Sequence, residues 1–180
     1  MDFYAYTIEN TEDSEKLYTF YSPRNKRIYA VSFDTYLYQD FLEDFPCLLS
    51  KGCSLGFYNI PTEKPFRQKH DPLASSTIQC IIQDYLQSQG NECVLLYHCD
   101  TQDNRQYCRH LLFDRWYRAG AFSSFIKEAA EATIPVGDEK KKYYIGYITA
   151  RDNPNLENIK LEFDEFSYYM ISLDNFKDRA

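Results

Sequence analysis

Two aromatic and β-branched runs, KLYTFYS at 16–22 and KRIYAVSFD at 26–34, stand on either side of Pro23, Arg24 and Asn25. Such runs suit a pleated, half-buried surface, and Pro and Asn favour turns, so the pair predicts an antiparallel β-hairpin. A hairpin alone leaves an apolar face bare, so the rest of the chain must cover it. DFYAYTIE (2–9) reads as a further strand, with Tyr4, Tyr6 and Ile8 on one face. The same chemistry continues throughout: the chain holds 17 Tyr and 13 Phe against one Trp. Core and cross-strand packing is the ordinary use of that excess, and stacking on bases or a partner protein is the functional one.

The clearest helix signal is DPLASSTIQCIIQDYLQSQG (71–90). Asp71 suits the N-cap, Pro72 the first helical position and Gly90 the terminus. Leu73, Thr77, Ile78, Ile81, Ile82, Tyr85 and Leu86 form its apolar stripe. ECVLLYHC (92–99) is a near-continuous apolar strand, the pattern of a central position in a sheet. Other elements are shorter. Leu37, Phe41, Leu42 and Phe45 predict a helix over 35–45 that ends at Pro46, and GFYNI (56–60) a strand followed by a Pro-punctuated loop. A helix is expected from about Asp103 to Arg118, broken at Gly120, with a second helical segment over Phe122–Ala132. VGDEKKK reads as a solvated loop and YYIGYITA as a strand. Residues 153–170 satisfy both periods: Ile159, Phe163, Phe166 and Met170 keep helical spacing, while Ile159, Leu161 and Phe163 alternate. The reading taken is helix. With no repeat, linker or low-complexity tract, 1–180 is expected to be a single α+β domain of mixed α/β layers. It opens on the hairpin, which continues into a sheet with helices packed on it.

Charge narrows the function. The net charge of −7 gives no general attraction to phosphate backbones, so general nucleic-acid binding is excluded while a local basic patch is not. Met1 is followed by Asp2 and aromatic alternation, not by a leader pattern, and the longest uncharged stretch, 72–83, is too short for a bilayer. The expectation is a cytoplasmic protein with no membrane partner, its six Cys reduced.

The stretch CDTQDNRQYCRHLLFDRW (99–116) concentrates charge unusually. On a helical wheel Tyr107, Cys108, Leu111, Leu112 and Trp116 share an apolar arc that also takes in Arg105 and Arg115, with Arg109 at its edge. Gln106, His110, Asp114 and Tyr117 fall opposite. Inward arginines need partners, because an unpaired buried cation costs several kcal/mol. One reading is a structural network in which Arg105 and Arg109 hold Asp100, Asp103 or a carboxylate elsewhere. The other is an anion site beyond the strand end, where Arg105 and Arg109 fork a small anionic ligand and His98 and His110 act as acid or base. Asp100 and Asp103 would neutralise such a site. Cys93, Cys99, Cys108 and His110 lack the close Cys pair of a zinc knuckle, so no metal is expected. With 6 Gly and no phosphate-cradling loop, no cofactor is expected either.

The block YHCDTQDNRQYCRHLLFDRW resembles the signature of a family of small uncharacterised bacterial proteins, chiefly from Bacteroidota, classed as a domain of unknown function. Its pattern here is strand–CD-x2-D-x-R-x3-R-x3-F-x2-W, and the resemblance extends to DPLASSTIQCIIQDYL and YTFYSPRNKRIYAVSF. It implies a bacterial cytosolic accessory protein with no assigned activity or cofactor, and it brings no catalytic residues. Two functions follow from the residues. The first is a non-catalytic binding or regulatory protein that engages a protein partner through its aromatic surface or the arginine helix. The second is a small nucleotide- or RNA-directed enzyme, toxin-like, built on Arg105, Arg109 and His110.

Overall fold

A computed structural model of the chain describes residues 2–10, 16–35, 42–62, 69–99, 104–118, 122–136 and 139–177. Its strands are β1 (Tyr6–Asn10), β2 (Lys16–Ser22), β3 (Arg27–Asp34), β4 (Gly52–Pro61), β5 (Val94–His98), β6 (Phe125–Val136) and β7 (Glu139–Ala150). Its helices are α1 (Pro46–Lys51), α2 (Pro72–Gln89), α3 (Gln106–Arg118) and α4 (Leu156–Lys177). The strands form one sheet in the order β1-β2-β3-β4-β5-β7-β6. Neighbours are antiparallel except β4 and β5, which run parallel and are joined through α2. This is the expected α+β architecture.

The β2–β3 hairpin forms where the aromatic alternation puts it, in register from Lys16↔Phe33 to Ser22↔Arg27. Its turn is fastened by buried Asn25, whose side-chain amide donates to Lys69 O (3.0 Å) and whose Oδ1 accepts from Lys69 N (2.9 Å). Asp71 caps α2 by accepting from Ala74 N, and it also receives the hydroxyls of Ser22 (2.5 Å) and Tyr4 (3.2 Å). One carboxylate thus ties the helix start to the end of β2 and the approach to β1. Gly90, at φ 83, lies just beyond the last turn in a conformation that costs a side-chain residue more than glycine.

Alternation along β5 sorts the core into two layers. Leu95 and Tyr97 face one side with Tyr18, Phe20, Phe33, Cys53 and Leu55, under Ile78, Ile81, Ile82, Tyr85 and Leu86 of α2 and Phe113 and Trp116 of α3. Val94 and Leu96 face the other with Ile145 and Tyr147, under Leu48 of α1 and Ile159, Phe163 and Phe166 of α4. The helices therefore sandwich the sheet, α2 and α3 on one face and α1 and α4 on the other. β5 is buried along most of its length, as its apolar run requires.

Three expectations are corrected. The segment 122–132, read as helix, is instead a turn at 122–124 and then the start of strand β6, paired residue by residue with β7 from Phe125↔Ala150 to Val136↔Glu139. Ala, Glu and Lys favour a helix only weakly, and the ladder offered by β7 outweighs them. The same pairing draws 139–142 out of the expected loop and into β7. The helix placed before Pro46 begins at Pro46 instead, where the missing N–H costs nothing. Residues 36–41 of that expectation lie outside the described residues. The Glu162 carboxylate accepts from the backbone N–H groups of Cys47 (2.9 Å) and Leu48 (3.0 Å), so α4 caps α1. Residues 156–177 are helix, as the 3.6 period indicated.

Candidate functional site

Helix α3 carries most of the predicted site residues, and it is turned about its axis relative to the wheel reading. Gln106, Phe113 and Trp116 are buried, and Arg109, His110, Asp114 and Tyr117 are half-buried. Tyr107, Cys108, Leu111, Arg115 and Arg118 are exposed, and so is Arg105 just before the helix. Arg105 and Arg115 therefore do not face inward. Aromatic packing fixes the rotation: Phe113 stacks on Tyr97 at 4.3 Å, and Phe57 meets Phe113 at 5.7 Å and Trp116 at 6.0 Å. Two large rings three positions apart bury more area than the Tyr107–Leu111 side could.

A polar clasp lies along the inner flank. Lys127 of β6, its side chain only 5 % exposed, donates to Asp114 Oδ1 at 2.5 Å. His110 stacks flat on Tyr144 of β7 at 4.4 Å, and its Nε2 is 3.4 Å from Asp114 Oδ2. Burial by itself would raise the Asp114 carboxyl. The hydrogen bond and charge of Lys127, with His110, more than offset it and hold the group below the usual carboxylate range. Burial holds His110 below the ordinary imidazole value, with Asp114 opposing and Lys127 assisting. Burial thus favours the neutral form of the ring, whose Nε2 faces Asp114. Its Nδ1 is buried without a hydrogen-bond partner, a tolerable state for a lone pair and a poor one for a second N–H.

Among the described residues, the two predicted histidines do not converge. Along β5, His98 shares a face with Val94 and Leu96, on the α4 side of the sheet, whereas His110 lies on the α3 side. The sheet therefore stands between the two histidines proposed as an acid–base pair. Arg115 points to solvent, away from His110. Arg109 is near enough to Cys99 to oppose the shift of its thiol, which burial pushes up to about 12. Asp100 and Asp103, offered as partners of Arg105 and Arg109, lie outside the described residues. Burial also raises the Cys53 thiol to about 11 and Cys93 to about 12, which makes them poor nucleophiles.

Lys127, Tyr144, Tyr97 and Gly146 were not singled out from sequence. Lys127 was hidden by the helical reading of 122–132. A signal did exist for the last two: Gly146 interrupts an apolar strand, and glycine in a strand marks a close approach. Tyr97 is its register partner, and a Cβ on Gly146 would lie 2.3 Å from the Tyr97 hydroxyl.

What α3 offers outward is a strip of Tyr107, Leu111, Arg115 and Arg118, two apolar side chains continued by two guanidinium groups. Tyr107 and Leu111 are 53 % and 41 % exposed. Apolar groups beside arginine are the composition of protein-binding surfaces. No helix among the described residues is long and apolar enough to cross a membrane.

The model of a family of unknown function (DUF6169) matches residues 70–165, just over half of the chain. The match runs from the start of α2 through β5, α3, β6 and β7 into α4, and so includes the whole clasp and the outer strip. The resemblance read from the Cys99–Trp116 block holds at the level of a family of unknown function. No curated protein and no solved structure matches the chain.

Proposed function

Because the chain belongs to the DUF6169 family of unknown function, which lends it no activity, we propose a function from the surface of α3. The protein is a non-catalytic binding or regulatory protein of the bacterial cytosol, working as one domain, and it holds an acidic protein partner on the outer strip of α3. One observation carries this reading. An acidic chain presents Tyr107, Leu111, Arg115 and Arg118 together on the solvent side of a helix whose inner side is anchored by Phe113 and Trp116. A rigid helix face that combines apolar anchors with arginine binds by helix packing and charge pairing. The enzyme alternative, with a small anion at Arg105 and Arg109 and a histidine beside them, is disfavoured by the separation of His98 from His110 across the sheet.

A photoreactive amino acid at position 111, introduced in the cell of origin, tests the proposal. It should capture protein on illumination, and Arg115→Glu should reduce that adduct by on the order of tenfold, as expected for one contact of about 1.4 kcal/mol. Absence of a protein adduct, or one indifferent to Arg115→Glu, overturns it.

A further inference from the structure

Helix α4 carries an outer strip of the opposite sign. Glu157, Leu161, Asp164, Glu165 and Tyr168 are all exposed, Leu161 at 67 % and Tyr168 at 77 %. At 100° per residue these five fall within roughly one third of the wheel, opposite buried Ile159, Phe163 and Phe166. Glu157 is partly answered by Lys160 at 3.1 Å, which leaves Asp164 and Glu165 as the acidic centre beside Leu161 and Tyr168. The two strips match in kind: tyrosine, leucine and arginines on α3, tyrosine, leucine and carboxylates on α4. They cannot meet within one molecule, because α3 and α4 lie on opposite faces of the sheet and their outer strips point in opposite directions.

We infer that the partner of α3 is the α4 outer strip of a second copy of this chain. This rests on the reading of α3 as an interaction surface and names its occupant. Such a contact is heterologous: the strip used on one copy differs from the strip used on the next, and each copy keeps one strip free. Assembly therefore proceeds head to tail, giving chains, or rings if the rotation closes, and does not stop at a two-fold dimer. Leu111 and Leu161 supply the apolar contact, and Arg115 and Arg118 against Asp164 and Glu165 supply register and salt sensitivity. Like strips repel, arginine against arginine and carboxylate against carboxylate, which disfavours both symmetric alternatives.

Sedimentation velocity on the purified chain tests this, with Arg115→Glu, Glu165→Arg and an equimolar mixture of the two. Both substitutions are at exposed positions, and unchanged melting temperatures confirm that they leave the fold intact. At low ionic strength the wild-type chain should sediment faster as concentration rises, beyond the value for a dimer. At about 1 M salt, where the Debye length is roughly 3 Å, that rise should largely disappear. Each single variant should associate at least about tenfold more weakly. Mixing them should restore association, because each carries intact the strip that the other has reversed. Three results overturn the inference: a wild-type monomer throughout, association indifferent to Arg115→Glu, or association weakened by Arg115→Glu but indifferent to Glu165→Arg, the mark of an α3 contact that does not use α4. A monomer that still yields a foreign protein adduct at position 111 would remove the second copy and leave the α3 surface standing.

Discussion

At the scale of single residues, His110 decides how the protein answers to acid. Its imidazole meets Asp114 on its own helix, Lys127 and Glu131 on β6, and the Tyr144 ring on β7, with Glu131 in turn bonded by Lys142. Burial depresses its pKa in the folded chain, while the unfolded chain keeps the ordinary value of 6.5. Below that value the unfolded state binds a proton that the folded state resists, so the contribution is complete above about pH 6.5 and is lost as pH falls toward the folded value. The slope is at most about 1.4 kcal/mol per pH unit for one such group. Asp114 adds a second loss at lower pH, beginning below its unfolded value of 3.8, because its folded carboxyl is also depressed. His110→Phe retains the stack on Tyr144 and removes the titration. Its melting temperature should therefore drop less between pH 7 and pH 5.5 than that of the wild type, and equal drops in the two proteins would exclude this role for His110.

At the scale of elements, the clasp between α3 and β6 is asymmetric in exposure, and its variants should be asymmetric in cost. Lys127 is nearly buried, whereas the Asp114 side chain is 26 % exposed and can hydrate. Asp114→Ala leaves an enclosed ammonium without its carboxylate, and should cost about 2–3 kcal/mol. Lys127→Met keeps the packing of the stem and leaves a carboxylate that reaches water, so it should cost about 1 kcal/mol or less. Chemical denaturation of both variants gives the two values, and the reverse order would contradict this account. The elements that were legible in the sequence had local causes. Helix α2 announced itself by its cap, its stripe and Gly90, and β2–β3 by alternation around Pro23 and Asn25. Strand β6 had no such cause: FIKEAAEA is locally helical and becomes a strand because β7 lies beside it. Helix α3 was legible as a helix but not in its rotation. Its apolar residues lie on both sides, and only the rings it meets, Tyr97, Phe57 and Tyr144, choose which side goes in. Lys127 and His110 became visible as neighbours only once both of those facts were in place. Asp71 was legible as a cap and illegible as the acceptor shared by Ser22 and Tyr4, which lie 49 and 67 positions away.

At the scale of the whole molecule, the segment that matches the family is not a unit that can bury its own core. Residues 70–165 include α2, yet the stripe of α2 packs on strands that precede it. Phe33 of β3 stacks on Tyr85 at 3.7 Å, Tyr85 contacts the Cys53 thiol of β4 at 3.2 Å, and Tyr18 and Phe20 of β2 belong to the same core. Cutting the chain before α2 would expose Ile78, Ile81, Ile82, Tyr85 and Leu86 together. It would also strip β5 of its β4 neighbour and turn the apolar Val94–His98 strand into a sheet edge, a template for aggregation. At about 1.5–3 kcal/mol for each large side chain, exposing these five α2 residues forfeits roughly 8–15 kcal/mol, comparable to the whole 5–15 kcal/mol by which a domain of this size is stable. A fragment covering residues 70–180 should therefore show no cooperative melting and should aggregate at concentrations where the full chain stays in solution. A sigmoidal melt from a soluble fragment would mean that the sheet divides between β4 and β5 into two independent cores. Co-expression with residues 1–69 provides the complementary test. If α2 is the seam, the two pieces should recover one cooperative transition together, because the helix regains the strand face it was built to cover.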